Sequence, residues 1–146
     1  YQIKDVEILG AARWIATQGG RLAGTAFGKA KGGALGALLR FWMSNGVYAL
    51  LGSGFPYGTL AVNVLGSLVM GYLYIVMIER LAIGAEWRAF ALVGLLGAFT
   101  TFSTFSIETL NLLEQADYAK ALANMLVSVL ACIAAAFVGV SLARQL

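Results

Sequence analysis

Thr100-Thr101-Phe102-Ser103-Thr104-Phe105-Ser106 places five hydroxyls and two phenyl rings in seven positions, near the end of an uncharged, otherwise oily run from Ala89 to Ile107. A membrane helix that only anchors has no use for such a cluster. At bilayer depth, hydroxyls can satisfy or replace backbone hydrogen bonds, so grouping them beside glycine predicts an interrupted helix lining something polar.

The rest of the chain sets that cluster in lipid. Apolar residues make up 60% of the 146 positions and charged residues 12%. With a mean hydropathy of +0.82, this exceeds what a soluble domain of this length tolerates. Charge-free stretches run from Phe41 to Ile78, Ala89 to Ile107 and Ala121 to Ala143, and a spanning helix needs about 20 largely apolar residues. The first stretch is too long for one span. Pro56 with Gly52, Gly54 and Gly58 divides it, leaving a helix from about Gly58 to Ile78 and a shorter approach from Phe41 to Leu51. The expected spans are therefore 58–78, 88–108 and 121–143, joined by short connectors.

Other classes are excluded by what the sequence lacks. It contains no histidine and one cysteine, Cys132, which removes histidine or multi-cysteine metal sites and intrachain disulfides. No carboxylate pair sits at bilayer depth and no serine has a histidine base, so catalysis is not expected. Six of the ten basic residues (Lys4, Arg13, Arg21, Lys29, Lys31, Arg40) lie in the first forty positions, so the net charge of +3 is no nucleic-acid signal. Counting sides from Phe41, Arg80, Arg88 and Arg144 fall on one face and Lys120 on the other. That weak positive-inside bias leaves orientation poorly specified, and two inverted copies could build a symmetric pore.

The first forty residues divide at about residue 20. For 1–20 two readings stand, an interfacial helix with Ile8, Leu9, Trp14 and Ile15 among Lys4, Asp5, Glu7 and Arg13, or an untypical extension. From residue 21 to 146 a membrane domain is expected. Its opening, Arg21 to Leu39, is rich in the small residues that let helices approach closely. Lys29 and Lys31 interrupt it, each costing about 3 kcal/mol at the bilayer centre unless it snorkels or meets water.

Several side chains qualify as functional. Phe102 and Phe105, three apart, lie within about 60° on a helix. Their positive ring edges can approach an anion without the trap a lysine would create, or the rings can simply pack. Asn63 can donate to an anion or tie two helices together. Asn124, Ser128 and Cys132 recur at i, i+4 and i+8, a mildly polar stripe that suits a path wall or interhelical glue. Arg40 and Glu108 suit interfacial anchors or an ion pair, and Arg40 could also concentrate anions in a vestibule.

Gly58-Thr59-Leu60 with Val62-Asn63 and Gly66, followed by Gly94-Leu-Leu-Gly97-Ala-Phe-Thr100 through Ser106 and then Glu108, resembles the Fluc/CrcB family of fluoride channels from about Gly33 to the C-terminus. The resemblance implies an all-α membrane protein of four transmembrane helices with a break in the third. It implies a dual-topology antiparallel homodimer in a bacterial-type inner membrane, passing fluoride out of the cell. The fluoride path would run by Phe102, Phe105, Asn63, Thr104, Ser106, Asn124 and Ser128, with Arg40 at a vestibule or anchor. Gly97 and Thr100 would offer backbone carbonyls to a structural sodium ion. The sequence departs from the family at Asn124 and Cys132, and at Lys29 and Lys31 in a first helix expected over Leu22 to Met43. Outside that family, a small proton-coupled multidrug-type exporter and a non-transporting membrane subunit remain the alternatives.

Overall fold

The computed structural model describes the backbone from residue 2 onward, and side-chain surroundings from Gly24 onward together with Arg13 and Thr17. Among the described residues all regular structure is helical. The elements are α1 (Gln2–Leu51), α2 (Tyr57–Tyr74), α3 (Ala85–Arg88), α4 (Gly97–Phe99), α5 (Phe102–Glu114) and α6 (Tyr118–Arg144). Wider π-helical turns extend α2 over Ile75–Arg80 and join α3 to α4 over Ala89–Leu96. Among the described residues three helical stretches are long and apolar enough to cross a membrane: Tyr57–Arg80, Ala85–Glu114 and Tyr118–Arg144.

α1 is one helix of 50 residues, about 75 Å at 1.5 Å per residue and so longer than a bilayer is thick. It runs through residue 20 and through the Phe41–Leu51 segment without a break. It ends where Gly52 takes φ +81° and its N–H donates to the Tyr48 carbonyl at 2.8 Å, a glycine C-cap. The side chains invoked for an interfacial segment at residues 1–20 lie, Arg13 apart, outside the described residues. Lys29 and Lys31 are exposed, and among the described residues no carboxylate pairs with either.

Glycine decides how closely the helices meet. A Cβ on Gly71 would fall onto the Ala136 carbonyl, and one on Gly139 onto the Leu68 carbonyl, so α2 and α6 touch backbone to backbone. Gly32 and Gly36 bring α1 against Phe90 and Leu95 in the same way. These are the small-residue faces through which membrane helices associate. Met77, Leu92 and Leu96 form a buried core flanked by Val69, Met70 and Leu73. α6 turns Leu126, Leu130, Ile133 and Phe137 outward, an apolar exterior suited to lipid.

α5 ends in a Schellman motif, with Asp117 N–H donating to Leu112 O at 2.9 Å and Ala116 N–H to Leu113 O at 3.0 Å. Ala116 holds φ +59° there, a left-handed conformation that costs a side-chain-bearing residue about 1 kcal/mol. Ala116→Gly is therefore expected to stabilise the protein by about 1 kcal/mol, read as a later midpoint in denaturant unfolding of the detergent-solubilised chain. An unchanged or earlier midpoint contradicts the argument.

Candidate functional site

The hydroxyl cluster sits where the helical backbone stops and restarts. Thr100 (φ −81°, ψ 157°) and Thr101 (φ −151°, ψ 116°) are extended between α4 and α5. Two side chains hold that turn. Asn63 of α2 takes both backbone groups of Thr101, its Nδ2 donating to Thr101 O at 3.0 Å and its Oδ1 accepting from Thr101 N–H at 2.7 Å. Thr101 Oγ1 in turn caps α5 by accepting from Thr104 N–H at 3.1 Å, and donates to Thr104 Oγ1 at 3.0 Å.

These bonds divert two donors from the helical ladder. Gly97 O would ordinarily receive the Thr101 N–H, which is spent on Asn63, and Thr100 O the Thr104 N–H, which is spent on Thr101 Oγ1. Thr100 turns its own N–H and hydroxyl back to Leu96 O, both at 3.0 Å. Gly97 is exposed, and a Cβ there would meet nothing nearer than Leu92 O at 3.9 Å. The end of α4 thus carries backbone oxygens that have lost their helical donors.

A groove of about 370 Å³ runs beside this turn. It gathers Asn63, Thr100, Thr101, Phe102, Phe105 and Ser128, with Cys132 on the same wall. The two phenyl rings stand 5.3 Å apart at 43°. Phe105 is 9% exposed and Phe102 76% exposed, so the first is anchored in the subunit and the second stands out from it. Asn63 carries two amide hydrogens. One is committed to Thr101 O, leaving the other free to face the groove, so a single carboxamide can both tie helices and donate to a ligand.

The remaining polar residues fall in different places. Ser128 lines the groove, but Asn124 lies behind it at 2% exposure. Its Nδ2 donates to Thr109 Oγ1 at 2.9 Å, its Oδ1 accepts from Ser128 at 3.1 Å, and the Thr109 hydroxyl donates to Phe105 O at 2.8 Å. That chain fixes α6 to α5 and orients Ser128. Ser106 faces outward and donates to Phe102 O at 2.9 Å.

Arg40 and Thr104 line a second cavity of about 330 Å³ with Thr101 and Glu108. Thr101 therefore touches both spaces and stands between them. No ion pair joins Arg40 to Glu108. Glu108 Oε1 instead accepts from Tyr48 at 2.8 Å and from Thr59 at 2.9 Å. Sequence reasoning assigned no individual role to Thr101, Thr109, Thr59 or Tyr48. Thr101, Phe105 and Thr109 follow one another at i+4, a readable signal, whereas Tyr48 is sixty positions from its carboxylate and offered none.

Comparison with known proteins gives the geometry a context. Residues 28–140 match the family described as CrcB-like protein, Camphor Resistance (CrcB). The chain is 58% identical over 120 residues to a fluoride-specific ion channel FluC of Methylococcus capsulatus, covering 82% of this chain and 53% of that protein. It is 53% identical over 115 residues to a protein of the same name from Magnetococcus marinus, covering 79% of this chain and 94% of the other. A third, from Coxiella burnetii, is 50% identical over 112 residues, 76% of this chain and 90% of the relative. The chain thus spans about half the length of the Methylococcus protein and nearly all of the Magnetococcus one.

Proposed function

This chain belongs to the CrcB-like protein family, and on that footing we propose that it is a fluoride-selective channel allowing passive efflux of fluoride across a bacterial membrane. The observation that carries the reading is the groove beside the Thr100–Thr101 turn, where an amide donor, hydroxyls and two phenyl rings converge without a lysine or arginine. Moving a small anion from water into a low-dielectric interior costs tens of kcal/mol unless fixed dipoles replace its hydration shell. The second Asn63 amide hydrogen and the positive edges of Phe102 and Phe105 are such dipoles, while Ser128, whose hydroxyl hydrogen is given to Asn124, lines the wall beside them. None binds an anion so strongly that it cannot leave, which conduction requires. Arg40, in the adjoining cavity with Thr101 and Thr104, raises the local anion concentration at the entrance. No covalent chemistry is involved.

In this reading α1 supplies a fourth span beside the three apolar helices, and the extended Thr100–Thr101 turn is a break in the third. A second, inverted copy covers the exposed Phe102 and completes the wall of the path, each subunit contributing one groove. Asn124 acts behind the path by orienting Ser128, and Ser106 supports the backbone at Phe102. A sodium ion held by the carbonyls of Gly97 and Thr100 fits the donor set, since both oxygens have lost their ladder donors and a hard cation prefers oxygen. Bound there it would supply a fixed positive potential near the path.

The test is efflux from proteoliposomes loaded in turn with fluoride and chloride. Rapid fluoride release with chloride release at least a hundred-fold slower is the expected result. Absence of fluoride release, or equal release of both, would refute the proposal.

A further inference from the structure

The channel reading gives no role to Lys29, whose charge is out of place in a helix that meets lipid. Its surroundings suggest one. A groove of about 330 Å³ lies where α1 crosses α3, lined by Thr25, Lys29 and Arg88 together with Ile78, Leu92 and Val93. Cations therefore stand beside an apolar wall that opens to the outside of the helices.

Lys29 is held at this place. A Cβ on Gly94 would come within 2.6 Å of Lys29 O, and one on Gly28 within 3.0 Å of Glu86 O, so α1 lies flush on the segment carrying Arg88 and has no room to slide. Neither cation has a carboxylate partner. The ion pairs among the described residues are Lys120 with Asp117 and Arg144 with Glu79, while Glu86 packs against α1 at Gly24 instead. Arg88 Nε is buried and without a hydrogen-bond partner, an omission that native structures rarely leave unfilled. The same end of the helices carries Arg80 and Arg144, joined by a 2.7 Å bond from Arg80 Nη2 to Arg144 O.

We propose that Lys29 and Arg88 bind the phosphodiester of an anionic phospholipid, whose acyl chains lie along Ile78, Leu92 and Val93. The guanidinium fork of Arg88 matches two phosphate oxygens. Lys29 adds a point charge in the same groove. A zwitterionic headgroup carries the same phosphate but brings a cation of its own toward Lys29, so phosphatidylglycerol is bound in preference to phosphatidylcholine.

Native mass spectrometry of the full chain in detergent, with each lipid added separately, tests the site. The wild type retains phosphatidylglycerol, and Lys29→Gln and Arg88→Gln each weaken retention about five-fold, the equivalent of one cation near an anionic lipid. Lys31→Gln removes the same charge from an exposed position outside the groove and leaves retention within two-fold. Should Arg88→Gln fail to fold, Arg88→Lys keeps the charge but loses the fork, and weakened retention is again expected. Equal retention of phosphatidylcholine, or an equal loss in Lys31→Gln, would overturn the proposal by showing diffuse attraction. Inorganic phosphate bound through Lys29 and Arg88 without phosphatidylglycerol retention would overturn it in favour of a free anion.

Discussion

Asn63→Ala lowers fluoride flux at least a hundred-fold and loosens the Thr100–Thr101 turn in the same step. The carboxamide makes both bonds to the backbone of Thr101, at 3.0 and 2.7 Å, and Thr101 is 8% exposed. Truncation leaves a buried N–H and a buried carbonyl without partners, at about 1–3 kcal/mol each, so a stability loss of about 2–4 kcal/mol is expected. It also removes the second amide hydrogen, which the proposed path uses as a donor. A hydrogen bond to a charged partner contributes about 1.5–3 kcal/mol, which alone accounts for a ten- to hundred-fold change in rate. The measurements are proteoliposome efflux and hydrogen exchange at the Thr101 amide. Exchange should accelerate as flux falls. Wild-type flux with an intact turn would remove Asn63 from the path, and wild-type flux with an opened turn would show that the turn itself is dispensable.

The place of this clasp in the chain was readable before its form was. Five hydroxyls in oil at Thr100–Ser106 contradict their surroundings, and such a contradiction survives any uncertainty in helix boundaries. Asn63 could be singled out for the same reason, but residue type alone left it two roles. The structure gives it one of them through Thr101 and leaves a hydrogen available for the other. What Thr101 does was hidden, because capping depends on its ψ and on which backbone groups remain unpaired. The ends of α1 were also misjudged. Expected from Leu22 to Met43, it runs from Gln2 to Leu51. The glycines in it serve close packing against Phe90 and Leu95, as their small size indicated, and Phe41–Leu51 contains no residue able to stop the helix. The π-helical turns at Ile75–Arg80 and Ala89–Leu96 left no trace in the pattern. When nearly every position is apolar, a period of 3.6 cannot be distinguished from a wider one.

Phe102→Ile and Phe105→Ile are expected to reduce fluoride flux at least ten-fold each, yet to differ in what they do to the fold. An aromatic edge contributes about 0.5–1.5 kcal/mol beyond its buried area, and isoleucine keeps most of the bulk while losing the ring's quadrupole. If the rings act on the ion, both substitutions cost flux. Phe105 is 9% exposed and accepts the Thr109 hydroxyl on its carbonyl, so replacing its ring also leaves a packing defect of about 1–2 kcal/mol. Phe102, at 76% exposure, has little within its own subunit to lose, and its substitution should leave the unfolding midpoint of the subunit within about 0.5 kcal/mol. Efflux, denaturant unfolding and cross-linking of the proposed dimer separate the cases. Lost flux in Phe102→Ile with the subunit and dimer intact is an effect on the ion alone. Lost flux accompanied by lost dimer would make Phe102 an interface residue, and unchanged flux in both variants would return the two rings to packing.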